Sequence, residues 1–287
     1  MNNLWQTTGN IKPQELTESR LQLHYAIQFI AAIGATLAEP LPDYSHTSLE
    51  WNPELKVFVG AVIRAKTSFR VALEPIGLTL AILNTQGDTI AVFPLHQKTM
   101  AEGLDWLKEG VSRLDADAFQ IEFLSYPPDD FPDHAVAHGA SFDASAESAR
   151  QELTNYYANT HQLLQEITAT TEEASSIHIW PHHFDIATLI SLSGTKNGEP
   201  ITVGIGLSPG DKSYDEPYWY VSPYPYPKVE KLPALEGNGF WHRQHWVGAV
   251  LTASRLIGEA QHNQVRSFLH SALKEAKALL QGEATGF

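Results

Sequence analysis

The densest chemistry in the sequence is the run Ser176-Ile177-His178-Ile179-Trp180-Pro181-His182-His183-Phe184-Asp185. If it is a strand, alternate residues share a face. His183 and Asp185 then project together, and His182 projects the other way with Phe184. A His–carboxylate pair at that spacing suits two uses. It can chelate a divalent metal with ligands from elsewhere, or the Asp can orient the imidazole as a general base. Pro181 excludes a regular helix through the run, so helical zinc-site spacing does not apply. The plain alternative is a set of histidines merely hydrogen-bonded in a half-buried strand.

A second feature is Glu216-Pro217-Tyr218-Trp219-Tyr220-Val221-Ser222-Pro223-Tyr224-Pro225-Tyr226-Pro227. Tyr218, Trp219 and Tyr220 offer flat apolar faces with polar tips, suited to a planar or sugar ligand. They could equally fill a core and seal a sheet edge. The alternating prolines favour an extended exit from the strand. His242 and His245 flank a third aromatic segment and are ligand-binding candidates, or two exposed loop histidines. His134 and His138 lie in an acidic loop, where His138 could add a metal ligand.

Several absences narrow the chemistry. There is no cysteine, which excludes a disulfide scaffold, a Cys-ligated zinc or iron–sulfur site and a thiol nucleophile. Gly204-Ile205-Gly206 is followed by Leu207-Ser208-Pro209, with Pro where a dinucleotide-binding helix should begin, and reads as a strand glycine pair. Ser141 reads as a helix-cap residue, not a nucleophile. No Walker A sequence, Gly-x-Ser-x-Gly elbow or EF-hand loop occurs. The net charge of −14 over 287 residues argues against nucleic acid as a partner. Apolar content of 43% and charged content of 18% are the balance of a folded chain.

The elements that must position these residues follow from periodicity. Lys12-Pro13 opens a helix whose Leu16, Leu23, Ile27, Ile30 and Leu37 form one face, ended by Pro40 and Pro42. Its stretch Leu21–Ala38 contains Gln22, His24 and Gln28, so it reads as a buried-face helix and not a membrane span. Short period-two runs at 57–65, 68–74, 78–84 and 89–94 predict an antiparallel meander. A helix is expected over 99–114 and a strand over 118–124. The Pro- and Asp-rich segment 126–142 is the expected boundary, with Asp143 capping a helix that runs to about Thr170. Strands are then expected at 177–193, 201–207, 218–222 and 246–252, and a last helix at 259–280.

The expected fold class is therefore α+β: antiparallel sheet with packed helices, in two pseudo-duplicated helix–meander–helix halves, 1–125 and 143–287, joined by the 126–142 loop. The sequence leaves open one extended sheet or two lobes. The first residues lack a basic region and an apolar run, and with no cysteine the expectation is a cytoplasmic protein without a membrane partner.

Three short segments resemble an uncharacterised bacterial domain-of-unknown-function family. His138-Gly139-Ala140-Ser141-Phe142-Asp143 is similar to a His-Ala-Ser-Tyr-Asp run before that family's central helix, with one insertion. His178, Trp180, Phe184 and Asp185 follow its His, Trp and Phe-Asp strand, and Glu216, Pro217, Tyr220, Tyr224, Pro225 and Pro227 its Glu-Pro-x-x-Tyr segment. His182-His183 departs from it, standing where the family has small residues. The resemblance brings no activity. It implies that His138, Asp185 and Glu216 belong together, in one pocket between the halves.

Three functions compete. One is a small-molecule or divalent-metal-dependent enzyme. Its metal ligands would be His138, His183, Asp185 and Glu216, with His183, Asp185 and Glu216 as catalytic candidates, walled by Trp180, Tyr218 and Tyr220, and with His182 a further ligand-binding candidate. Another is a non-catalytic protein binding an aromatic or sugar ligand. The last is a structural or homo-oligomerisation module with an apolar patch around Trp219, Trp241 and Trp246.

Overall fold

The computed structural model describes residues 5–196, 198–228, 230 and 232–284. The chain is α+β, with antiparallel sheets and packed helices. It divides into two compact units. Unit A comprises Glu15–Thr154 and His178–Phe184; unit B comprises Met1–Gln14, Asn155–Ile177 and Asp185–Phe287. The 126–142 loop lies within unit A.

Unit A begins with α1 (Thr17–Ala26) and α2 (Gln28–Leu37), interrupted only at Ile27. Leu16, Leu23, Ile27 and Ile30 are all buried, as the helical stripe requires. A five-stranded sheet follows in sequence order: β1 (Glu50–Asn52), β2 (Val57–Val59), β3 (Phe69–Glu74), β4 (Thr79–Asn84) and β5 (Thr89–Pro94). Each strand pairs antiparallel with the next. α3 (Met100–Ser112) opens with a reciprocal capping box between Thr99 and Glu102.

The strand expected over 118–124 does not form. That segment has no ladder partner and is held by the buried side chains of Ala118 and Ile121. Asp143 does not cap the next helix: its carboxylate accepts from the Ser145 N–H at 2.8 Å and the Ser145 hydroxyl at 2.9 Å, and α4 (Glu147–Thr168) starts beyond that turn. Near its start, Arg150 is fully buried and donates to the backbone oxygens of Ile76 (2.8 Å) and Ala144 (2.5 Å). The short β6 (His178–Ile179) returns to unit A, where Ile179 and Leu49 exchange backbone hydrogen bonds of 2.7 and 2.9 Å.

Unit B takes the rest of α4, then β7 (Ile186–Lys196), β8 (Glu199–Ser208), β9 (Tyr218–Tyr224), β10 (Phe240–His242), β11 (Gly248–Thr252) and α5 (Gln261–Ala284). These strands lie in the order β10-β11-β9-β8-β7. β10, which period-two counting misses, is a three-residue strand paired to β11. Along α5, Val265, Phe268, Leu269, Ala272 and Ala276 are fully buried.

Of the two glycines in β8, Gly206 has a packing role. A Cβ at Gly206 would lie 2.2 Å from the Ile186 carbonyl oxygen and 2.8 Å from the Ala187 Cβ. Gly206→Ala is expected to destabilise the protein by about 3 kcal/mol, the upper end of overpacking costs. Urea denaturation measures this, and wild-type stability in the variant would contradict the close approach of β7 and β8. Among the described residues no helix is long and apolar enough to cross a membrane.

Candidate metal and small-molecule site

Trp180, Pro181, His182 and His183 form a tight turn, not a strand. The Phe184 N–H donates to the Trp180 carbonyl oxygen at 2.8 Å, and Phe184 adopts a left-handed φ of 57°. That conformation costs an aromatic residue about 1–2 kcal/mol. Burial offsets the cost: Phe184 is fully buried, stacks on His24 at 5.4 Å and meets the Phe58 ring edge-on at 5.6 Å. The left-handed residue breaks the period of two, so His183 and Asp185 do not share a strand face. Instead His182 and His183 stack on each other, ring centroids 4.1 Å apart.

The turn is held from beneath by α1 and α2. His24 is buried, and its Nε2 lies 3.0 Å from the Pro181 oxygen and 3.1 Å from the His182 oxygen. Both are carbonyl acceptors, so Nε2 carries the hydrogen and donates to the two. Burial above all, with the charges of Arg20 and His183, lowers the His24 pKa to about 3, against the two carbonyls that favour the imidazolium. Gln28 donates from Nε2 to the backbone oxygens of His24 (3.0 Å) and Pro181 (2.8 Å). Its Oε1 accepts from the Tyr126 hydroxyl at 3.0 Å.

The 126–142 loop supplies the opposite wall. Tyr126 stacks on His182 at 4.6 Å with planes 7° apart, and on Phe131 at 4.8 Å with planes 13° apart. Phe131, Tyr126, His182 and His183 therefore form a column of near-parallel rings. Burial raises the Tyr126 pKa, which keeps it a phenol and a donor.

Beside the column, Asp130 Oδ2 lies 3.2 Å from His182 Nε2, off the line of a hydrogen bond. That nitrogen is buried, and Asp130 approaches the ring through both its carboxylate and its backbone. The His182 pKa is lowered, first by burial and then by His183, with Asp130 acting in the opposite sense. One ligand atom each from Asp130, His182 and His183 falls within a 4.8 Å group, the one such group of three among the described residues. Tetrahedral zinc with bonds near 2.1 Å needs ligand atoms about 3.4 Å apart. Asp130 and His182 already meet that spacing, and Asp130 and His183 are exposed.

The expected set of His138, His183, Asp185 and Glu216 is engaged differently. His138 is exposed and pairs with Asp133 at 2.7 Å. Asp185 accepts from the Tyr220 hydroxyl at 2.5 Å. Glu216 accepts from the Ser254 N–H at 2.6 Å and hydroxyl at 2.8 Å, anchoring the 3-10 turn Ala253–Arg255. Only His183 belongs to the three-ligand group.

The aromatic candidates are mostly structural. Trp219 is fully buried against Tyr156 and donates from Nε1 to Thr160 Oγ1 at 2.8 Å. Tyr218 is buried and donates to Asp211 Oδ2 at 2.7 Å. His242 accepts from the Tyr214 hydroxyl at 2.8 Å through Nδ1 and donates from Nε2 to the Gln244 oxygen at 2.6 Å. His245 is an exposed turn residue with φ of 66°. Trp180 is half-buried, its ring tilted on His178 at 5.4 Å. Of the expected apolar patch, Trp219 is core, while the Trp241 Nε1 donates to the Pro233 oxygen at 2.7 Å and Trp246 stacks on His242 at 4.4 Å.

The residues that spacing missed are His24, Gln28, Tyr126, Asp130 and Phe131. One signal was available: His24 and Gln28 are polar residues on the apolar side of a helix. Nothing linear ties Asp130 to His182.

Unit A also holds a cavity of about 410 Å³ in which Tyr126 is a shared wall, with Tyr25, Phe123, Phe131, Met100 and Asp133 among the others. A volume of this order suits a small organic ligand. An α+β chain with a His–His–Asp group and an adjoining aromatic cavity is the class these features define. No known protein family, curated protein or solved structure matches it.

Proposed function

We propose that Asp130, His182 and His183 bind a divalent first-row cation, zinc above all, and that the protein is a metal-dependent enzyme for a small molecule. The observation that carries this reading is that one ligand atom each from Asp130, His182 and His183 lies within 4.8 Å of the others. A lowered His182 pKa favours the neutral imidazole that a metal requires. The hydrogen bonds from His24 and Gln28 fix the backbone of the turn and so aim the ligands. Three protein ligands leave a tetrahedral ion one open position for water, the arrangement of hydrolytic zinc sites. Metal-assisted hydrolysis is accordingly the reaction class to screen first. The resemblance to a domain-of-unknown-function family adds no activity to this reading.

Calorimetric zinc titration of the metal-stripped, untagged protein tests it. One equivalent is expected to bind, and His182→Ala and Asp130→Asn are each expected to weaken binding by roughly 100-fold, at the top of the range for disturbing a ligand shell. Absence of saturable binding, or wild-type affinity in both variants, would overturn the metal reading. The aromatic cavity would then favour a non-catalytic small-molecule binding protein.

A further inference from the structure

We propose that the cavity of about 410 Å³ in unit A takes a small organic cation, an ammonium group carried on an apolar body. If the protein is the metal-dependent enzyme proposed above, this names its substrate class; the binding itself does not depend on metal. The argument is an accounting of donors and acceptors. The Tyr25 hydroxyl spends its proton on the Pro132 oxygen at 2.7 Å, and the Tyr126 hydroxyl spends its own on Gln28 Oε1 at 3.0 Å. The Gln28 amide protons go to the backbone oxygens of His24 and Pro181. Tyr126 Oη and Gln28 Oε1 still offer lone pairs, while the Tyr25 oxygen already accepts from the His134 backbone. Ser125 adds a hydroxyl that accepts as readily as it donates. Asp133 is the one residue with a formal charge among the described residues of the lining.

Its carboxylate takes His138 Nε2 on Oδ1, which leaves lone pairs of Oδ2 to accept from a ligand. Burial raises the Tyr25 pKa first, and the Asp133 charge at the wall adds to it. The walls themselves suit a cation. The rings of Tyr25 and Phe123 line the cavity, whereas the Tyr126 ring is stacked against Phe131 and His182. A cation within about 6 Å of an aromatic face is attracted by the ring quadrupole. An anion would meet no positive side chain among the lining residues, and a purely apolar ligand would strip water from the acceptors without replacing it.

The test is calorimetry on the full chain in chelator, with 2-phenylethylamine, the neutral 2-phenylethanol and the anionic phenylacetate as probes. The amine is expected to bind about tenfold or more tightly than the alcohol, and phenylacetate not measurably. Asp133→Asn, at an exposed position, should leave the melt unchanged and bring the amine down to the affinity of the alcohol. Phe123→Leu, which keeps bulk but removes a ring, should weaken the amine by about threefold to tenfold and affect the alcohol less. Equal binding of amine and alcohol, an amine affinity indifferent to Asp133→Asn, or no binding of the amine would each overturn the proposal. Because metal is absent throughout, a failed zinc titration and a failed amine titration are separate results.

Discussion

Trp219→Ala is expected to destabilise the protein by about 3–5 kcal/mol, the range for emptying a fully buried tryptophan site. The indole lies in β9 with no exposed surface, packs at 5.7 Å on Tyr156 from α4, and donates to Thr160. Truncation removes the largest fully buried side chain of unit B and leaves the Thr160 hydroxyl without its donor. Trp219→Phe separates the two effects. It keeps most of the packing and loses the hydrogen bond, for about 1–2 kcal/mol. Urea denaturation of both variants gives the numbers. A loss below about 1 kcal/mol for the alanine variant would mean that the site collapses around the gap, and it would reopen Trp219 as a ligand-facing residue.

Acidification is expected to produce the second large effect, and His24 dominates it. In the unfolded chain this histidine titrates near its ordinary 6.5; in the folded protein burial holds it neutral down to about 3. Between those values the unfolded state binds a proton that the native state refuses. Stability from this residue is therefore fully present above pH 6.5 and falls as the pH drops toward 3. At about 1.4 kcal/mol per unit, the loss reaches roughly 3 kcal/mol by pH 4.5. Burial also lowers the pKa of His178, His182 and His270, and each adds a smaller loss of the same sign. Denaturation midpoints measured from pH 7 to 4 check the slope. His24→Gln, whose amide can still donate to a carbonyl, should remove about one proton's worth of it. An unchanged slope in that variant would assign the acid sensitivity to other groups.

The two effects report on different kinds of residue, and the difference decided how each could be read from the chain. Trp219 sits among apolar neighbours in a period-two run, and a core role was one of its two readings from the start. His24 carries no motif. Its importance rests on a turn more than 150 residues away, through bonds to Pro181 and His182.

Periodicity determined most of the elements, because hydrophobic burial acts on local patterns. The stripes of the helices, β2 to β5 of the unit A meander and the strands at β7, β8, β9 and β11 follow it, while β1 lies outside the runs it marked. It failed where ladder partners decide the outcome. The 118–124 run has strand-like composition but no neighbour to bond, whereas β10 is too short to show a period and exists because β11 lies beside it. The expected pairing of His183 with Asp185 assumed an extended strand, and the turn at Trp180–His183 sets His183 beside His182 and Asp130 instead.

The sequence by itself determined the α+β class, the lack of thiol chemistry, the acidic surface and the concentration of imidazoles around Pro181. The tertiary structure decided which side chains meet. It placed Phe184 in a left-handed conformation, held there by contacts with His24 and Phe58, and so separated His183 from Asp185. It also brought Asp130 and Tyr126 from a loop about fifty residues upstream onto His182. Local propensity is written into neighbouring residues. A metal or ligand site joins groups distant in sequence, and only the packing that fixes the intervening chain puts their atoms within reach.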